Sequence, residues 1–207
     1  MKRIGHSKIL LEEYNEVSLP KMVVIEGIDG VGKTTLAHLL EERLGYIYLY
    51  TPQSPFADIR EEIEKAKDIN TRFFYYLASV VAIQPYLTAM ISQGKRVVVD
   101  RYIYSTIAMH QVLGANVSAV TMEQLPIRWP DYGIHLTAIV SERIKRLSLR
   151  KKQIHDEHIE RFTRKGESAV KIYQSFADLI TYDTTTLSIE EVYTSVHKQL
   201  IKKEGIC

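Results

Sequence analysis

The 207-residue sequence predicts an α/β protein of three layers, one parallel five-stranded sheet with helices on both faces. Three observations predict it. Short apolar runs at 22–25, 46–50, 96–100, 134–140 and 179–182 alternate with helix-like stretches, the order that crossover connections turn into a parallel sheet. The first run leads directly into Gly27-Ile28-Asp29-Gly30-Val31-Gly32-Lys33-Thr34, which fits G-x-x-x-x-G-K-[ST], a phosphate-binding loop between a strand and a helix. The third run closes on Asp100, a carboxylate at a strand's C-terminal end, where open α/β sheets build their sites.

Composition is that of an ordinary globular protein: 45% hydrophobic, 25% charged, net charge +2. The length suits one domain with a full core. So small a net charge gives no reason to expect nucleic acid or an anionic membrane as partner. The sole cysteine, Cys207, allows neither a disulfide framework nor a cysteine metal site within the chain, and a cytoplasmic location is expected. Near the N-terminus, Ile9-Leu10-Leu11 is too short for a signal-peptide core and Glu12-Glu13 follow at once. Phe73 to Gln93 carries no formal charge. With Pro85 near its middle and eight polar residues scattered through it, it reads as a helix buried in the domain.

In chain order, residues 1–20 carry a loose helical stripe of Ile9, Leu10, Leu11, Tyr14 and Val17, which fits either a short helix packing on the domain or an N-terminal arm without order, and the domain spans 21–207. Met22–Ile25 suits a strand buried on both faces. After the loop, Leu36, Leu39, Leu40 and Leu44 recur at helical spacing, with Gly45 at the C-cap. Strand 46–50 ends in the turn-rich Thr51-Pro52-Gln53-Ser54-Pro55. A charged helix is expected at 57–67 and the long apolar one at 71–93, before strand 96–100. A helix over 103–113 stops at Gly114 and Asn116, and 121–129 is a linker. Strand 134–140 precedes a helix capped by Ser141. Residues 148–160 are crowded with charge and read as a mobile lid. After the last strand, Ser188-Ile189-Glu190-Glu191 is a capping box opening a helix that buries Val192, Val196 and Leu200.

The loop's chemistry follows from its residue types. Glycines let backbone N–H groups turn toward a polyphosphate, and the helix N-terminus adds partial positive charge. Gly27, Ile28, Asp29, Gly30, Val31, Gly32, Lys33, Thr34 and Thr35 are therefore the expected residues holding a nucleoside triphosphate's phosphates. Lys33 would reach the β- and γ-phosphates; Thr34 and Asp100 would serve Mg2+. Arg101 can clamp a phosphate with two parallel hydrogen bonds. This is a P-loop NTPase fold, which alone leaves motors, GTPases, kinases and ATP-gated switches open. The guanine-reading Asn-Lys-x-Asp motif is absent from the sequence, which argues against a GTPase.

Glu26 to Thr35 resembles the phosphate loop of the thymidylate kinase family. Asp100-Arg101-Tyr102 with Ser105 and Ala108 resembles that family's D-R-Y-x-x-S-x-x-A signature. Pro130-Asp131, Arg143 and the Tyr182-Asp183…Ser188–Val192 tail also fall where the family has like residues, so the likeness runs from Met22 to the C-terminus. It implies ATP as phosphoryl donor, Mg2+, dTMP as acceptor and a homodimer. Lys33, Arg101, Asp29 and a lid cation such as Arg150 would be catalytic, with Arg146, Lys151 and Lys152 as the other lid candidates. Asp29, Tyr75, Ser79, Arg101, Tyr102 and Ser105 would bind the acceptor, Tyr75 stacking on its base.

The departures lie on the acceptor side. Ser79 stands where the family carries a base-reading arginine. Ala108-Met109-His110 replaces an Ala-Tyr-Gln run, Thr51-Pro52-Gln53-Ser54 replaces Arg-Glu-Pro-Gly, and the lid glutamate is displaced around Asp156–Glu160. A kinase of another nucleotide, nucleoside or phosphorylated metabolite is the second reading. A nucleotide-binding module without turnover is the third, opposed by the intact Lys33, Thr34, Asp100 and Arg101.

Overall fold

The structure, a computed structural model, describes residues 19–149 and 156–202. The arm at 1–18 and Arg150, Lys151 and Lys152 of the expected lid lie outside them. Five parallel strands form the sheet: β1 Met22–Glu26, β2 Ile47–Tyr50, β3 Val97–Asp100, β4 Tyr132–Thr137 and β5 Leu179–Asp183, in the order β2-β3-β1-β4-β5. Central β1 and β3 are buried along their whole length, which is why they read as unbroken apolar runs. Edge strand β5 leaves Ile180 exposed.

Eight α-helices occur among the described residues: α1 Lys33–Leu44, α2 Phe56–Glu64, α3 Ile69–Ala82, α4 Gln84–Ser92, α5 Ile103–Val112, α6 Val140–Ser148, α7 Asp156–Ser175 and α8 Ile189–Lys202. α1 buries Leu36, Ala37, Leu40 and Leu44 and ends on Gly45 in the left-handed conformation, as its spacing predicts. The box at α8 is formed in both directions. Ser188 N–H and Oγ donate to Glu191 Oε2 at 2.8 and 2.7 Å, and Glu191 N–H donates to Ser188 Oγ at 3.3 Å.

Several boundaries differ from the sequence expectation. The expected single apolar helix is two, α3 and α4, divided at Ile83 with Pro85 in the first turn of α4. By length and composition Ile69–Ser92 could cross a membrane, yet α3 packs Phe73, Tyr75, Leu77 and Val80 into the core. Its outer face keeps Phe74 exposed, and Tyr86 on α4 is exposed as well. Strand β4 starts two residues earlier than expected and ends at Thr137, because the chain enters α6 at Val140. Ser141 thus sits inside α6 rather than capping it. The long helix α7 has no counterpart among the expected elements. It buries Ala169 and Tyr173, and takes in Asp156–Glu160 from the C-terminal part of the expected lid.

Topology sets the site's position. The connection from β1 runs to one side of the sheet, toward β2, and that from β3 runs to the other, toward β4. The strand order therefore reverses between β1 and β3, the place where α/β sheets open a crevice. Register pairs Ile25 with Asp100 and Glu26 with His135. The phosphate loop and the Asp100-Arg101-Tyr102 turn emerge side by side.

Candidate active site

The loop's path depends on its glycines, two of which also leave no room for a Cβ. Gly27 has φ +135°, and a Cβ there would meet the Leu136 carbonyl oxygen at 2.3 Å. Gly30, at φ +86°, lies so close to α6 that a Cβ would be 2.9 Å from the Arg143 oxygen. Arg143 is itself buried and donates from Nε to the Asp29 carbonyl at 2.9 Å, propping the loop from below.

Lys33 opens α1 with its ammonium folded back over the loop, Nζ donating to the Ile28 carbonyl at 2.9 Å. Burial, helped by the Arg101 charge, pulls its pKa down to about 7, against the pull of Asp29, Asp100 and Glu26. Thr34 Oγ1 donates to Asp100 Oδ2 at 2.5 Å. The other Asp100 oxygen, Oδ1, is buried without a hydrogen-bond partner among the described residues. No cluster of three His, Cys, Asp or Glu side chains occurs among the described residues. Hydroxyl and carboxylate oxygens beside a phosphate loop fit Mg2+, which takes one or two protein oxygens plus phosphate and water, and the unpartnered Oδ1 is a free acceptor for that shell.

Arg101 is the one non-glycine residue with positive φ among those described, at 68°. Its guanidinium pairs with Asp29 and reaches the Gly27 carbonyl at 3.2 Å and Ser105 Oγ at 3.5 Å. Burial works against ionisation of Asp29, but Arg101 and Lys33 outweigh it and hold that carboxyl below its usual range. Beneath Arg101 lies Glu26, fully buried at the end of β1. It accepts from the Tyr102 N–H at 3.0 Å and from Ser105 Oγ, which in turn accepts from Tyr173 of α7 at 2.9 Å. Burial pushes the Glu26 carboxyl up to about 7, with the Ser105 bond and the Arg101 charge working the other way. Glu26 thus anchors the turn carrying Arg101, a role that its place in the loop motif did not disclose.

Three hollows follow from this arrangement. The smallest, about 220 Å3, lies over the loop among Asp29, Lys33, Thr34, Asp100 and Arg101. A mostly apolar one of about 340 Å3 flanks Gly32 and Thr35, walled by Val31, Leu136, Leu187 and Arg146. A third of about 310 Å3 lies beyond Arg101, between α2, α3 and α5. The structure brings Asp29, Arg101, Tyr102 and Ser105 to this third hollow. It does not bring Tyr75 or Ser79 there. The Tyr75 ring is buried, its hydroxyl donating to the Phe56 carbonyl at 2.6 Å, and Ser79 Oγ donates to the Tyr76 carbonyl within α3. The neighbouring Tyr76 lines the hollow instead, with Arg72, Glu64, Arg60 and His110. Among the expected lid cations, Arg146 is seated against α6 and the loop following β5. It donates to Glu142 Oε1 at 3.0 Å, to the Thr184 carbonyl at 2.7 Å and to the Gly30 carbonyl at 3.4 Å.

Comparison with known proteins agrees with this geometry. A family model described as thymidylate kinase matches residues 25–197. A probable thymidylate kinase of Methanococcus maripaludis is 28% identical over 192 residues, 88% of this chain and 96% of that protein. One from Sulfurisphaera tokodaii is 35% identical over 133 residues, 62% of this chain and 70% of its own. Among solved structures, thymidylate kinase from Candida albicans superposes with a TM-score of 0.72 at 18% identity, covering 90% of this chain and 93% of that one, a likeness of fold. With the match extending from the end of β1 into α8, the chain belongs to the thymidylate kinase family.

Proposed function

We propose that this protein is an ATP-dependent nucleoside monophosphate kinase that converts dTMP to dTDP. The observation that carries the proposal is the meeting of Lys33 and Thr34 with Asp100 and Arg101 over one phosphate loop, with a hollow on either side. One hollow takes the donor and the other the acceptor, so the phosphates meet over the loop. Membership of the family supports dTMP as that acceptor.

In this reading the apolar hollow beside Gly32 and Thr35 receives adenine, and the loop N–H groups hold its phosphates. Arg101, released from Asp29 by a dianionic phosphate, holds the acceptor in line with the γ-phosphoryl group. Asp29, on the same loop, faces the acceptor sugar or phosphate. Lys33 neutralises charge on the transferring group, and no covalent intermediate is required. Mg2+ would be held by the Thr34 hydroxyl and Asp100, and supplies further charge neutralisation when bound. Residues 148–160 act as a lid that excludes water, with Arg150 as its cation. The kinase domain takes in Leu19 and Pro20 as well, two residues ahead of the expected boundary at 21: Leu19 is buried in the core and the Pro20 carbonyl accepts from the Tyr46 hydroxyl at 2.9 Å. A cytoplasmic homodimer is proposed, the exposed Phe74 and Tyr86 offering apolar surface for a second copy. ATP turnover against a panel of nucleoside monophosphates tests the reading: dTMP-dependent ADP release supports it, and none with any monophosphate refutes it.

A further inference from the structure

At φ 68°, Arg101 keeps a backbone conformation that is costly for a residue with a side chain, and such a conformation persists only where its surroundings fix it. Three hydrogen bonds to the main chain do so. The Arg101 N–H donates to the Ile25 carbonyl at 3.0 Å. The Arg101 carbonyl accepts from Thr51 Oγ1 at 3.0 Å, and the Tyr102 N–H donates to Glu26 Oε1 at 3.0 Å. That carbonyl and that N–H are the two ends of one peptide plane, so the plane is gripped at both ends by side chains. Strand order supplies the grips from either side: β3 lies between β2 and β1, Thr51 follows β2 and Glu26 ends β1.

Holding this plane sets ψ of Arg101, and the bond to Ile25 sets its φ. Together they fix the direction in which the side chain leaves the backbone. The ion pair with Asp29 cannot do this in the working enzyme, because a bound phosphate displaces it. What then keeps the guanidinium aimed is the backbone beneath it, and such preorganisation favours binding by removing an ordering cost. Thr51 belongs to the turn-rich loop where this chain departs from the family. It is half-buried and lines both the hollow over the phosphate loop and the third hollow, as Arg101 does.

We infer that Thr51 is a positioning residue for the acceptor phosphate. Its hydroxyl holds the Arg101 carbonyl and, with Glu26, keeps the guanidinium aimed at the acceptor. The inference rests on the nucleoside monophosphate kinase reading. Substituting Glu26 would not isolate the effect, since its carboxylate also serves Ser105. Thr51→Val does, because valine keeps the branched shape and removes only the hydroxyl.

The test is titration calorimetry of dTMP and of ATP, each alone, into the wild type, Thr51→Val, Thr51→Ser, Arg101→Ala and the Thr51→Val/Arg101→Ala double variant. Thr51→Val should weaken dTMP by about fivefold, the worth of one hydrogen bond, and leave ATP within about twofold. Thr51→Ser keeps the hydroxyl and should bind dTMP within about twofold of the wild type. On the Arg101→Ala background, Thr51→Val should cost dTMP nothing further. Unchanged dTMP binding by folded Thr51→Val overturns the inference. Equal losses for both nucleotides overturn it too, as general damage to the fold. So does a loss that persists in full without the Arg101 side chain, which would mean that Thr51 touches the acceptor itself. If Thr51→Val does not fold, Thr51→Ala is read in the same way, and failure of both to fold makes Thr51 a residue of the fold alone. A wild type that binds no monophosphate refutes the kinase reading and this inference with it, whereas dTMP bound equally by wild type and Thr51→Val refutes the inference alone.

Discussion

Lys33 is a buried amine whose pKa is pulled down to about 7 by burial and by the neighbouring Arg101 charge. Both causes favour its neutral form in the free protein. A polyphosphate beside it favours the charged form and raises that pKa, so binding should draw a proton from solution. Glu26, pushed up to about 7 and ionised at pH 8, moves the same way when an anion arrives. Titration calorimetry with ATP at pH 8, in buffers of different ionisation enthalpy, should show net proton uptake; proton release would mean that Lys33 does not meet the phosphates. Arg101 makes a separate prediction. Its partners are Asp29 and the Gly27 carbonyl on the loop and Ser105 on α5, and it lines the third hollow with Asp29 and Ser105. Arg101→Ala should weaken the monophosphate by about tenfold or more while changing ATP little, since a charge-assisted pair is worth about 1.5–3 kcal/mol. Separate titrations with each nucleotide decide, and equal losses would make Arg101 a structural ion pair.

Between residues and the fold stand the elements that hold the loop. Because Gly27 sits at φ +135° with the Leu136 oxygen where a Cβ would go, Gly27→Ala forces β1 and β4 apart at the loop's root. Backbone strain alone predicts about 1–3 kcal/mol of lost stability, read from urea unfolding, and an unchanged midpoint would contradict the described path. Residues 148–160 should gain amide protection when a bisubstrate analogue binds; unchanged exchange would leave the lid role without support. Element chemistry was legible in the sequence where it is local. The Gly45 cap, the Ser188–Glu191 box and the phosphate loop each need only a few adjacent residues, and each formed as expected. Helical phase was not legible in Phe73-Phe74-Tyr75-Tyr76, because four aromatic residues in a row give no contrast between inside and outside. Packing on the core chose Phe73 and Tyr75 for the interior and turned Tyr76 to the hollow. Arg72 and Glu64 stayed hidden for a related reason: their pairing joins two helices, and no spacing rule within one helix reports it.

For the molecule as a whole, the alternation of strands and helices was enough to give a five-stranded parallel sheet. It did not give the strand order, which depends on the side each crossover takes. That order brings Asp100 beside Ile25 and so makes two distant motifs into one site. The buried Glu26–Ser105–Tyr173 chain ties the long helix α7 to the same place, a link between β1, α5 and α7 that arises only on folding. The central claim is that this site moves the γ-phosphoryl group of ATP onto dTMP, and phosphorus NMR of purified protein with MgATP and dTMP tests it most directly. One dTDP should appear for each ADP, and Lys33→Ala, still folded by circular dichroism, should make neither at a comparable rate. ADP accumulating with inorganic phosphate and no dTDP, or full dTDP formation by Lys33→Ala, would contradict the account.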